Sequence, residues 1–160
     1  MKSTKIFISY AYDEVAKEVV RLQYFVEQLR KALKSSDFEI VVDYEQLRVG
    51  QDKRDFMHSQ AKGCDVAIIL LSPEYKRKVD NRNDGVFLEF NILHQRYLFH
   101  TSKRTYDQEF LLLPVTFIGN YKEVELEEIE ALIARDFSRM YVTEEKGRPK
   151  VVPVTRAKYA

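Results

Sequence analysis

Apolar residues in this chain fall into short continuous runs, separated by stretches whose apolar positions line one side of a helix. The first run, Lys5–Tyr10 (KIFISY), lacks clean alternation and is rich in β-formers. That suits a strand buried on both faces. Asp13 or Glu14 then opens a helix, because a carboxylate is favourable near a helix N-terminus. Val15, Val19, Leu22, Val26, Leu29 and Leu33 follow three or four apart, a single apolar stripe. Ser35-Ser36-Asp37 ends the helix, and Phe38–Val42 (FEIVV) predicts a second strand. Asp43–Asp52 is a polar loop punctuated by Gly50. A weaker helix over Lys53–Lys62 leads through Gly63 into Asp65–Leu71 (DVAIILL), the clearest buried strand.

Ser72-Pro73-Glu74 stops that strand, and a polar stretch is expected as far as Asp84-Gly85. A helix over Val86–Phe99 follows, then a polar loop over Thr101–Gln108 and a strand over Phe110–Phe117 (FLLLPVTF). Pro114 has no N–H to give a ladder, which moves that strand to an edge or a bulge. Glu123–Ile133 reads as a helix with a solvated acidic face, and Arg139–Val142 as a last short strand. With Gly147, Pro149 and Pro153, residues 144–160 read as a tail or linker after a domain over residues 1–143. Strands alternating with helices predict an α/β domain around a parallel sheet. Such sheets bind ligands at the carboxyl ends of their strands. The loops that matter are therefore Ser9–Asp13, Asp43–Asp52, Ser72–Gly85 and Ile118–Lys122.

Composition narrows the function. The 160 residues suit one domain, with 45% apolar and 32% charged residues. Lys and Arg total 26 against 25 Asp and Glu, without the basic stripe of a nucleic-acid or anionic-membrane binder. The longest apolar runs fall well short of the ~20 residues that span a bilayer. The N-terminus turns polar after ten residues, unlike a signal peptide. A lone cysteine, Cys64, suits a reducing cytoplasm. There are 10 Tyr and 10 Phe but no Trp.

Several chemistries are excluded. Five glycines, at 50, 63, 85, 119 and 147, build neither GxGxxG nor a P-loop. A phospho-acceptor receiver needs an Asp at the end of a central strand, and Asp65–Leu71 ends in Leu-Leu-Ser-Pro. His58, His94, His100 and Cys64 never reach metal-ligand spacing, so no metal is expected. Cys64, just before a buried strand, is a small packing residue.

Three stretches occur together and in order. FISYAYDE (Phe7–Glu14) resembles the first box of TIR and SEFIR domains. VVDYEQLRVGQD (Val41–Asp52) is similar to the BB loop of that superfamily. CDVAIILLSPEYKRKVDNRNDGVFLEF (Cys64–Phe90) resembles the strand, Ser-Pro-x-Tyr and Gly-Val-x-x-Glu pattern of SEFIR domains. Where a TIR domain generally has Trp, four residues before the glutamate of its third region, this chain has Gly85. The resemblance is therefore to the SEFIR form, and to bacterial members most of all.

The resemblance implies a flavodoxin-like α/β fold of about five parallel strands, with helices on both faces. It implies one of two functions. Many relatives associate with like domains through the BB loop and neighbouring helices. Others, including bacterial anti-phage effectors, cleave NAD⁺ at the nicotinamide–ribose bond, and a first strand close to the N-terminus favours that class here. Glu89 matches the essential glutamate of the enzymes. Nicotinamide leaves as a neutral molecule, so one carboxylate beside the oxocarbenium-like ribose is compatible with the chemistry. Ser9, Tyr10 and Ala11 match the strand end lining the cleft, while Asp43, Arg48 and Gly50 belong to the BB loop, where Arg48 can meet a phosphate. Tyr75 is expected to offer a ring face or hydroxyl. The implied substrate is NAD⁺ with no separate cofactor, and the implied partner is another TIR/SEFIR domain, in the cytoplasm. Phe87 and Tyr97 are candidates to replace the missing aromatic.

Overall fold

A computed structural model of the chain describes residues 3–11, 16–33, 37–42, 50, 52–82, 85–103, 110–119, 121–129, 135–136, 140–145 and 148–153. The element order is β1 (Thr4–Ser9), α1 (Ala16–Ala32), β2 (Phe38–Val41), α2 (Lys53–Gly63), β3 (Val66–Leu71), α3 (Pro73–Asn81), α4 (Gly85–Lys103) and β4 (Leu111–Thr116). A single-turn helix α5 (Tyr121–Val124), a 3₁₀ turn (Glu127–Ile129), β5 (Arg135–Asp136), β6 (Met140–Glu145) and β7 (Arg148–Pro153) complete it. Five strands form one sheet in the order β2-β1-β3-β4-β5, every pair parallel. Its fifth strand is a two-residue fragment beside Val115 and Thr116.

The unalternated apolar runs are explained by what covers them. Ile6, Ile8, Ile68 and Leu70 pack against Leu22, Phe25 and Val26 of α1. Phe7, Ala67, Ile69 and Leu71 face the opposite core, with Met57, Ala61, Tyr75, Phe90 and Leu93 from α2, α3 and α4. Each central strand is thus buried on both sides, as its sequence required. The connection leaving β1 runs to β2 on one side and the connection leaving β3 runs to β4 on the other, so the reversal of strand order lies between β1 and β3. Their carboxyl ends, Ser9 and Ser72, border that switch point.

The structure differs from the sequence reading in four places. Ser72–Gly85 is not an open polar stretch: Pro73–Asn81 is helical, with Ser72 as N-cap accepting from the Tyr75 N–H and Pro73 in the first turn. That is a helix-start signature, but only Tyr75 and Val79 of the helix are buried, too few to show a stripe. The acidic segment from Glu123 is one helical turn and a 3₁₀ turn rather than a long helix, anchored by Val124, Leu126 and Ile129. Pro114 sits in β4, next to the edge fragment, and β5 pairs only beyond it, so its missing N–H is tolerated. Finally, residues 140–145 and 148–153 form an antiparallel ribbon lying along α1. The expected boundary after residue 143 falls inside β6.

Helix α3 ends on Arg82, whose φ of 57° is left-handed. A non-glycine residue there costs roughly 1 kcal/mol, and helices commonly end on Gly at this position. Arg82→Gly is expected to raise stability by about 0.5–1 kcal/mol, measured by urea unfolding. A lower midpoint would show that the Arg82 side chain contributes more than its backbone costs.

Candidate functional site

Ser9 of β1 and Tyr75 of α3 meet where the central strands end, and Glu89 of α4 lies close enough for its charge to act on Tyr75. Ser9 and Tyr75 have no exposed surface, and their hydroxyl oxygens are 2.7 Å apart. The Ser72 cap fixes the first turn of α3 and so aims Tyr75 inward. Phe90 meets the Tyr75 ring edge-on, with centroids 6.4 Å apart, and His94 stacks flat on Phe90. Glu89, the residue before Phe90, is only 2% exposed, and its Oε1 makes no hydrogen bond among the described residues. Burial pushes the Tyr75 phenol well above its ordinary pKa; the Glu89 charge adds to the rise and the Ser9 contact opposes it. A neutral phenol, a serine hydroxyl and a buried carboxylate therefore share one low-dielectric corner.

The expected cleft residues separate. Ser9 points to the side of α2, α3 and α4, and Ala11 packs against that core, whereas Tyr10 packs on the α1 side. Tyr75 presents no ring face to a cleft; it is sealed in the core and offers only its hydroxyl, to Ser9. Gly50 is an exposed turn residue with φ of 85°, a conformation that favours glycine. Asp43 and Arg48 lie outside the described residues. Phe87 and Tyr97, both on α4, are partly buried and pack against the core on the side of α2, α3 and α4. Gly85 stands at the first position of α4, and a Cβ there would meet nothing within 4 Å. The missing aromatic is not imposed by crowding.

Cys64 fits its expected packing role. It is buried, accepts from Arg96 Nη1 at 3.4 Å, and its thiol is pushed up by burial against the lowering effect of Arg96. Arg96 also donates to the Ala61 carbonyl and lies over the Phe110 ring. Native Cys64 is expected to react with a disulfide reagent at least about tenfold more slowly than in urea-unfolded chain. Equal rates would mean that the α2–α4 seam opens freely. Among the described residues no group of three metal-ligating side chains gathers, and no helix is long and apolar enough to cross a membrane.

A five-stranded parallel sheet in this order, with a buried glutamate beside the switch point, defines a flavodoxin-like α/β domain of the TIR/SEFIR kind. The family model for the TIR domain matches residues 6–152, and the chain belongs to that family. Among solved structures, a prokaryotic SEFIR domain superposes with a TM-score of 0.53 at 20% identity, covering 82% of this chain and 85% of the other. No curated protein matches the chain.

Proposed function

We propose that this TIR/SEFIR domain is a self-associating immune effector that hydrolyses NAD⁺ at the nicotinamide–ribose bond, with Glu89 as the catalytic carboxylate. The observation that carries this reading is the position of Glu89: buried on α4, next to the Ser9–Tyr75 hydroxyl pair, at the switch point of a parallel sheet. A low-dielectric corner makes a single carboxylate effective against a developing positive ribose. Ser9 supplies a hydroxyl for a sugar oxygen, and the family resemblance assigns the BB loop, with Arg48 and Gly50, to the phosphates. The 2% exposure of Glu89 implies that substrate enters only after the helices around it shift, which suits an enzyme that is idle until it assembles. The setting is cytoplasmic, in prokaryotic defence against phage. The test is nicotinamide release from NAD⁺ at high protein concentration or with a crowding agent, for wild type and Glu89→Ala. Release by wild type alone supports the assignment; equal rates remove Glu89 from the mechanism.

The same burial favours a second reading, a non-catalytic module that signals by homotypic association through the Asp43–Asp52 loop. It predicts self-association weakened by Arg48→Ala or Gly50→Pro, with no NAD⁺ turnover in any assembled state.

A further inference from the structure

Helix α3 is the shortest of α2, α3 and α4, nine residues of which Tyr75 and Val79 are buried. Its ion pairs, Glu74 with Arg77 and Lys78, and Lys76 with Asp80, run along the helix itself. Lys76 also donates to the Glu125 carbonyl, from a half-exposed position. The helix starts at Ser72-Pro73 and stops on Arg82, which is held left-handed at a φ of 57°. One buried turn and a strained end make α3 easier to lift than the sheet it lies against. What ties it inward is Tyr75. The Tyr75 ring packs on Phe90, and the Tyr75 hydroxyl reaches Ser9 at the end of β1, 66 residues away.

A serine hydroxyl near a carboxylate suits a third hydroxyl, which bonds the serine with its oxygen or its proton and has capacity left for the carboxylate. In this chain Tyr75 supplies that hydroxyl from within. Ser9 and Tyr75 have no exposed surface and Glu89 has 2%. We propose that α3 is a lid over the Glu89 corner, latched by the Tyr75–Ser9 hydrogen bond, with the phenol standing where a substrate hydroxyl binds once the lid lifts. Burial and the nearby Glu89 charge keep Tyr75 protonated, so the latch stays a neutral hydroxyl that a sugar hydroxyl can replace like for like. A single neutral hydrogen bond adds on the order of fivefold to the closed population, a bias that substrate binding or assembly can overcome. The inference rests on the reading of this corner as a site for a sugar hydroxyl, and it names the element that must move and the contact that must break before substrate enters.

Native-state hydrogen exchange of the full chain in low urea reads the lid. In wild type the amides of Lys76–Asn81 are expected to exchange at least about tenfold faster than those of Val66–Leu71, without the urea dependence of global unfolding. Tyr75→Phe keeps the ring, removes the latch, and is expected to speed the α3 amides at least about fivefold further. Ser9→Ala breaks the same bond from the other side and should match it. Exchange of α3 only in step with β3, or α3 rates unchanged in both variants, would overturn the latch. Nicotinamide release from NAD⁺ by the assembled protein reads the competition. A lid that opens more often raises the binding-competent fraction, so Tyr75→Phe is expected to lower KM at least about fivefold with kcat unchanged. A KM that stays or rises, or a kcat that falls, makes Tyr75 a packing residue and overturns the latch. Circular dichroism at the assay temperature checks that the variants are folded. If neither wild type nor Tyr75→Phe releases nicotinamide, the NAD⁺ reading falls, and the exchange measurement decides the lid without it.

Discussion

Tyr75→Ala is expected to cost about 3–5 kcal/mol of folding stability, the range for truncating a large buried aromatic. Tyr75 is the largest of the fully buried side chains among the described residues, packed edge-on to Phe90. Its removal opens a cavity and also strands the Ser9 hydroxyl in the core, a desolvation loss of about 1–3 kcal/mol by itself. Against a total of about 5–15 kcal/mol for a domain, much of the stability margin disappears. Tyr75→Phe separates the contributions: the ring stays, the hydroxyl goes, and the expected loss falls to about 1–3 kcal/mol. Ser9→Ala should cost a similar amount, and the double variant less than the sum, because removing both oxygens leaves no stranded partner. Urea unfolding of the four proteins measures this, and additive costs would show that the 2.7 Å contact contributes nothing of its own.

The same residue sets an alkaline limit. Burial first, then the charge of Glu89, raise the folded-state pKa of Tyr75, with Ser9 opposing. Below the ordinary phenol pKa of about 10 both folded and unfolded chains keep the proton, so the contribution is whole. As pH rises past that value, the unfolded chain ionises while the folded chain does not, and stability falls. Tyr75→Phe should show a shallower alkaline decline.

Glu89→Gln is the second large effect, and its sign differs between activity and stability. If the domain cleaves NAD⁺ as proposed, losing the Glu89 charge should reduce nicotinamide release by about 10²-fold or more, the scale of removing one preorganised electrostatic group. Folding should be unharmed or improved, since a buried carboxylate becomes a neutral amide of nearly the same shape. Chromatographic assay of nicotinamide and a thermal melt on the same preparation test both halves. A Gln variant that melts well below wild type would make Glu89 a structural residue, and one that turns over normally would end its catalytic role.

Much of the fold was legible because central parallel strands are buried on both faces, a demand visible locally as KIFISY and VAIILL. The three ordered boxes then pointed to Glu89. Helix α3 left only a cap signature at Ser72-Pro73-Glu74, because its single buried turn carries too few apolar positions for periodicity to register. The β6–β7 ribbon was hidden behind Gly147, Pro149 and Pro153, whose turn chemistry reads as a linker until the two strands are seen paired.

Composition, too, acquired a meaning. The absence of Trp separated this chain from the usual TIR pattern, and the open space above Gly85 shows that packing did not force it. By itself the sequence determined the apolar runs of the sheet and the helix that carries Glu89, since each depends on residues a few positions apart. Tertiary structure alone decided that Tyr75 faces Ser9 rather than a ligand, that Tyr10 and Ser9 part to opposite sides of the sheet, and that Glu89 is enclosed. The reason is range: a buried hydroxyl must find its partner wherever the fold brings one, and for Tyr75 that partner lies 66 residues away.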